Sequence, residues 1–160
     1  MTPPLQYGYL ADHPAWVEIL ARRHHAEWGA LMPYWSEAAA RSELAAQTER
    51  HRIPTTLVAW RKDQVVGSVS LVERDFEEWS HYTPWLASLL VMPEARGQGI
   101  GRELVRRAEA EAHALGVRRL YVIAADSETF YARLGWQVLE RVTLHGHAAA
   151  LMMVEPGPRS

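Results

Sequence analysis

The chain contains no cysteine, so disulfides and a cysteine nucleophile are both excluded, and the redox compartment leaves no trace. It also lacks an excess of either charge. Its 17 basic and 19 acidic side chains give a formal net charge of −2, too little to argue for nucleic acid or a membrane surface as partner. No apolar run approaches the roughly 20 residues of a membrane-spanning helix. The opening Met1-Thr2-Pro3-Pro4-Leu5 lacks the basic-then-apolar order of a secretory signal. These absences predict a soluble, cytoplasmic protein. Repeats and low-complexity linkers are missing too, so the 160 residues are expected to form one domain, residues 1–160, around one core that buries about two thirds of the unfolded surface. Pro156 to Ser160 reads as a short frayed tail.

What is present alternates between strand and helix patterns. Gln6 to Ala11 reads as a first strand, closed by Asp12-His13-Pro14, where Asp12 is placed to cap a helix and Pro14 to occupy its first turn. That helix runs to about Trp28, with Trp16, Ile19 and Leu20 on one face. Ser36 is a candidate N-cap for an alanine-rich helix from Glu37 to about His51. Thr55 to Arg61 and Val65 to Glu73 read as an antiparallel hairpin around Lys62-Asp63-Gln64, and Gly67 marks a bulge or a close backbone approach. Arg74 to Thr83 is charged, aromatic and without a period, a long connection placed to line a site.

A strand from Trp85 to Met92 follows, and beyond it a helix carries Ile100, Leu104, Ala108, Ala112 and Leu115 as its apolar stripe. Its wet side offers the pairs Glu103/Arg107 and Arg107/Glu111, and Gly116 stands at its C-terminus. Next come a strand at Arg119 to Ala124, a helix from Ser127 to Leu134, and strands Gln137 to Leu144 and Ala148 to Glu155 joined at His145-Gly146-His147. The order predicts an α/β (α+β) fold, one mixed sheet with helices on its faces.

The most informative stretch runs from Leu89 to Leu104. An apolar strand stops at Pro93, crosses Arg96-Gly97-Gln98-Gly99 and enters an amphipathic helix, so several backbone N–H groups face outward at the positive end of a helix dipole. Such a turn binds phosphate. A dinucleotide fingerprint fails, because Arg102 stands where its third glycine is required and no acidic residue closes the following strand. A Walker A loop fails for want of Gly-Lys-Ser/Thr. What fits is Arg96-x-x-Gly99-x-Gly101, which resembles the (Q/R)-x-x-G-x-(G/A) pyrophosphate loop of the GNAT superfamily of acetyl-CoA-dependent N-acyltransferases. Downstream, Phe130-Tyr131-Ala132-Arg133-Leu134-Gly135-Trp136 is similar to the F-Y-x-x-x-G-(F/W) segment of the same family.

The resemblance implies a GNAT fold, a mixed and mostly antiparallel sheet of about seven strands flanked by about four helices. It implies acetyl-CoA as co-substrate and a primary amine as acceptor. The main-chain groups of Leu89, Leu90 and Val91 would hold pantetheine, with the Leu89 N–H near the thioester oxygen. Arg96, Gly97, Gln98, Gly99, Ile100, Gly101 and Arg102 would cradle the pyrophosphate, with Phe130 and Arg133 beside the cofactor. Tyr131 matches the family tyrosine that protonates the departing sulfur; without its flanking motif it would read as a core aromatic anchoring a short helix.

Two positions depart from the pattern. Asp126 stands where many relatives carry an asparagine that bonds the pantetheine amide, and reads instead as an N-cap. Trp85 stands where some relatives carry a glutamate base, and it takes no proton. Because a thioester is already activated, the remaining needs are an oriented cofactor, a neutral amine, an oxyanion donor and an acid for the thiolate. Glu73, Asp75 and His81 are the candidate bases, acting directly or through water, with His81 favoured by its titration range. Water alone is the other option.

Histidines do not form a metal site on paper. His24 and His25 diverge by roughly 100° on their helix, and His145 and His147 have no third ligand nearby, so surface positions are expected. Trp35, Trp79 and Tyr82 fall in expected loops with no stripe to serve and hint at an aromatic acceptor site. Glu73, Asp75, Glu77 and Glu78 lie beside them, which ranks a small cationic amine first among acceptors. Transfer to a protein N-terminus or lysine, and a non-catalytic acyl-CoA-binding sensor, are the alternatives, and a homodimer is among the open assembly states.

Overall fold

The structure, a computed structural model, describes residues 2–157, so positions 158–160 of the expected tail lie outside the described residues. Its seven strands are β1 (Leu5–Tyr9), β2 (Thr55–Arg61), β3 (Gln64–Val72), β4 (Trp85–Val91), β5 (Leu120–Ala124), β6 (Gln137–Leu144) and β7 (His147–Val154). They form one sheet in the order β1-β2-β3-β4-β5-β7-β6. Neighbours are antiparallel everywhere except between β4 and β5. Four α-helices cover it: α1 (Val17–Trp28), α2 (Glu37–Ala46), α3 (Ile100–Ala114) and α4 (Glu128–Arg133). The mixed, mostly antiparallel sheet read from the sequence is the sheet observed.

Strand alternation decides which core each side chain joins. In β2, Leu57 and Ala59 enter the core under α3 and α4, while Val58 enters the core under α1 and α2. In β3 every residue after Gln64 is buried, as a strand covered on both faces requires. A third cluster, around Trp85, Tyr121 and Leu151, lies on the α1/α2 side beyond those helices, and Trp79 and Tyr82 of the β3–β4 connection pack against it. Trp35 likewise packs against the α1/α2 core and donates from Nε1 to Glu43 at 3.1 Å. These aromatic residues therefore do have apolar neighbours, in three dimensions rather than along one element.

Gly67 carries both of the properties that a strand glycine suggests. The β2/β3 register slips between Ala59 and Trp60, leaving Val66 as the extra residue, and its carbonyl accepts from Met92 N at 2.8 Å. A Cβ on Gly67 would stand 3.0 Å from Leu90 O and 3.1 Å from Leu104 Cδ1, so α3 sits on the sheet at a spacing that only glycine leaves free.

Several local expectations are corrected. The first strand ends at Tyr9, and Asp12 lies inside a short 3-10 helix, Leu10–Asp12, with its carboxylate taken by Arg50 at 2.5 Å. Ser36 does cap α2, accepting from Ala39 N at 3.0 Å, but α2 stops at Ala46 rather than near His51. There Thr48 turns its hydroxyl back onto Ala45 O and bridges to Thr55, diverting the backbone toward the sheet. On α3, Glu103 pairs with Arg107 at 2.9 Å, whereas Glu111 accepts from Tyr9 Oη instead of meeting Arg107. Arg107 lies over the Tyr7 ring at 4.3 Å. Ser127, not Asp126, occupies the N-cap of α4.

His24 overturns the expectation of surface histidines. It is 3% exposed, and its Nε2 lies 3.1 Å from Ser68 Oγ at the α1/β3 interface. Burial pulls its pKa from 6.5 down to about 4, so the folded chain holds it neutral. The unfolded chain binds the extra proton between these two values, so this contribution is complete above pH 6.5 and is lost as pH falls toward 4. A shift of that size is worth on the order of 3 kcal/mol. His24→Gln keeps a partner for Ser68 without titrating; its melting temperature should fall less between pH 6.5 and 4 than that of the parent, in calorimetric scans. Parallel curves would remove His24 from the acid response.

Candidate active site

The site begins where the sheet opens. β4 and β5 run parallel but register at a single pair, Trp85 with Tyr121, backed by Tyr121 N donating to Pro84 O at 3.2 Å. Beyond it, β4 continues against β3 alone, and β5 against β7 alone. The opening thus exposes one edge of β4 from Leu86 onward. Met92 N points to β3, where it bonds Val66 O, so alternation turns the N–H groups of Val91 and Leu89 the other way, into the gap.

A bulge shapes that edge further. The β3/β4 register runs from Ser68–Leu90 to Ser70–Ala87, leaving Ser88 and Leu89 opposite Val69 alone. Ser88 takes φ 57°, a strained value for a residue with a side chain. Leu89 and Val91 are partly buried against the α3/α4 core, while Leu90 is fully part of the α1/α2 core. The three strand residues proposed for pantetheine therefore divide between the two faces, with Leu89 and Val91 toward α3.

After β4, a short 3-10 helix, Pro93–Ala95, leads into the glycine turn. Gly97 and Gly99 have φ 79° and 80°, conformations that side chains avoid. A Cβ at either would meet nothing within 4 Å, so the turn is open outward at the N-terminus of a fifteen-residue helix. Gly99 caps α3 without any side-chain bond, leaving the first N–H groups to an external acceptor. Ile100 points inward and is buried. At Gly101 a Cβ would lie 3.5 Å from Val91 Cγ2 and 3.7 Å from Phe130 Cζ, which brings the turn, the strand edge and α4 to one place.

The cations of the turn have different commitments. Arg96 donates from Nε to Val91 O at 3.0 Å and pairs with Glu27 of α1 at 3.3 Å, so its guanidinium braces the turn against α1. Arg102 and Arg133 are exposed and have no ion pair among the described residues. Open glycines, free helix N–H groups and uncommitted arginines fit the phosphates of coenzyme A.

Tyr131 is 3% exposed on α4, edge-on to both Phe130 and Trp136. Burial first, and the charge of Asp75 second, raise its pKa well above the usual tyrosine range. Among the three candidate bases, Asp75 alone reaches Tyr131 in this way. Asp75 is exposed on the connection after β3; desolvation by surrounding atoms, reinforced by the charge of Glu43 on α2, pushes its carboxyl up to about 7. Glu43 escaped the sequence reading because its helix position shows no motif. Glu73 is exposed and lines a separate surface cavity of about 400 Å³ with Ile53, Arg74, Thr83 and Pro84. His81 is exposed with its ring 4.2 Å from that of Tyr82. Trp85 is fully buried and donates to Tyr82 O at 2.7 Å.

Comparison with known proteins agrees with this geometry. The family model described as the acetyltransferase (GNAT) family matches residues 15–136. This chain belongs to that family. An aminoglycoside 6'-N-acetyltransferase complexed with coenzyme A is among the solved structures of the same fold, with TM-score 0.75 at 16% identity over 97% of this chain and 99% of that one. An uncharacterized N-acetyltransferase of Chlorobaculum tepidum is 37% identical over 87 residues, 52% of this chain and 50% of that protein. The chain therefore spans about half the length of that curated relative. Among solved structures, the aminoglycoside 6'-N-acetyltransferase from Enterococcus faecium superposes with TM-score 0.75 at 16% identity, over 97% of this chain and 99% of that one. The spermidine N-acetyltransferase from Vibrio cholerae, in complex with CoA and spermine, gives 0.67 at 17% identity over 95% of both. At these identities the likeness is one of fold. Among the described residues, no helix is long and apolar enough to cross a membrane, and no three His, Cys, Asp or Glu side chains form a metal-sized group.

The geometry makes the turn testable without unfolding the protein. A Cβ at Gly101 meets only ordinary contacts, so Gly101→Asp should fold, but its negative charge would oppose a phosphate approaching the helix N-terminus. CoA affinity by calorimetry is expected to fall below detection, with a melting temperature near that of the parent. Unchanged affinity would remove the turn from phosphate binding.

Proposed function

We propose that this protein transfers acetyl from acetyl-CoA to a small cationic primary amine, with Asp75 as general base and Tyr131 as general acid. The observation that carries this reading is that, of the three candidate bases, Asp75 alone has a charge that raises the pKa of Tyr131, second to burial. Asp75 is coupled to Glu43 on the α1/α2 side, and Tyr131 belongs to the α3/α4 core.

Acetyl-CoA supplies an activated acyl group, and the rest falls to the chain. Backbone N–H groups along β4 hold the pantetheine arm in line with the strand, and the Leu89 N–H is placed to stabilise charge on the thioester oxygen. The amine arrives protonated, since an alkyl amine has a pKa of about 10.4. Asp75 and Glu43 attract that cation, and Asp75, ionised above its value of about 7, accepts a proton from its nitrogen. Tyr131, protonated throughout the neutral range, donates to the departing sulfur, and the second proton that the nitrogen sheds as the amide forms restores its phenol. Glu73 lies on the same connection, and its negative charge contributes to the approach of the cation. The neighbours in structure, an aminoglycoside and a spermidine acetyltransferase by name, support an acceptor rich in amino groups.

Tyr131→Phe should lower kcat by about 10²-fold while leaving the CoA dissociation constant nearly unchanged, because the phenolic proton matters only as the thiolate leaves. Unaltered turnover with a competent acceptor would return Tyr131 to a packing role. The base is tested by pH. In kcat/KM profiles, activity should be lost as pH falls below about 7, where Asp75 protonates. Glu43→Gln removes a charge that raises the Asp75 pKa, so this break should move to lower pH. A break that stays in place, or an Asp75→Asn variant with full activity, would reject the assignment.

A further inference from the structure

Two glycines in left-handed conformations leave Gln98 as the single side chain between them, at φ 79° and 80° on either side. Such a turn has much conformational freedom to lose on binding, and its affinity depends on how far it is held in advance. One flank is held by Arg96, through Val91 O and Glu27. The other flank is held by a residue outside every motif. Arg61, the last residue of β2, donates from Nη2 to Gln98 Oε1 at 2.5 Å and from Nη1 to Pro3 O at 2.8 Å.

Arg61 is itself fixed. It pairs in register with Leu5 of β1 and with Gln64 of β3, so its backbone belongs to the sheet. The planar guanidinium offers two forked donors at a set angle, one for the segment before β1 and one for the turn. A lysine carries the same charge but has no such fork.

We propose that Arg61 is a positioning residue for the CoA phosphates, acting through Gln98 to hold the Gly97–Gly99 turn in its open geometry. This rests on the reading of that turn as the pyrophosphate site. Arg61 touches neither acceptor nor thioester, so its loss weakens cofactor binding and leaves the chemical step alone. The bond is solvent-exposed, so an effect of about three- to tenfold is the scale expected for one net hydrogen bond.

The experiment measures CoA dissociation by calorimetry, and KM for acetyl-CoA against kcat, for Arg61→Met, Arg61→Lys, Gln98→Ala and the double variant Arg61→Met/Gln98→Ala. Each variant is expected to raise the CoA dissociation constant by that factor, the Arg61 single variants raise KM equally with kcat at saturation unchanged, and the double variant should bind CoA no more weakly than either single one. Parental affinity in Arg61→Lys would show that charge rather than position matters, and would overturn the proposal. So would additive losses in the double variant, or no loss in any of them. Gly101→Asp separates the two readings: if it abolishes CoA binding while the Arg61 variants bind normally, the turn stands and Arg61 falls, whereas normal CoA binding by Gly101→Asp removes the turn itself.

Discussion

Everything in the site depends on the failure of two parallel strands to stay paired. β4 and β5 meet at Trp85 and Tyr121 and then part. A buried sheet edge with unsatisfied N–H and C=O groups is costly, so a fold that leaves one open needs another group to bond there. An extended arm with amide groups, such as pantetheine, can bond to β4 much as a missing strand would. The bulge at Ser88 and Leu89 belongs to the same arrangement. It removes two residues from regular pairing with β3 and re-aims their backbone where the opening is widest.

The opening also explains why two short sequence motifs, far apart along the chain, belong together. Each follows one of the parting strands: the glycine turn and α3 follow β4, and α4 follows β5. Both helices must rise on the same face, because the cores of Leu104 and Tyr131 are one cluster. Gly101 and Phe130 then meet within van der Waals reach. Gly67 favours this from beneath, since a Cβ there would crowd Leu90 O and the Leu104 and Ile100 side chains at 3.0 to 3.3 Å, and they would have to give way. A glycine in the middle of β3, with no chemistry of its own, thus lets α3 and the glycine turn at its start lie close on the sheet.

The parts legible in the sequence were those with local causes. The strand-turn-helix at Leu89 to Leu104 announces itself through Pro93, the glycines and a helical stripe; Ser36 announces its helix; Gly67 announces a close approach. What stayed hidden depends on elements distant in sequence. That Asp75 rather than Glu73 or His81 couples to Tyr131 follows from how the β3–β4 connection folds over Trp85, Tyr121 and Leu151, and no spacing records it. Nor does a spacing record that Glu43, on an alanine-rich helix, raises the Asp75 pKa. His24 was expected at the surface because it diverges from His25 on the helix and has no metal to share with it, and only the packing of α1 on β3 supplies its Ser68 partner.

The coupling of Asp75 to Tyr131 gives the proposed acid and base a sequence in time. While Asp75 is ionised, its charge raises the Tyr131 pKa and keeps the phenolic proton in place. Once Asp75 has taken the proton of the attacking amine, that charge is gone, and the phenol becomes the stronger acid at the stage when the sulfur needs a proton. Water would dissipate such a dependence over a few ångströms, but a group buried like Tyr131 feels a neighbouring charge with little screening. On this proposal, closing the α4 motif around a buried tyrosine and opening the sheet nearby serve one electrostatic arrangement, in which the first proton transfer prepares the second.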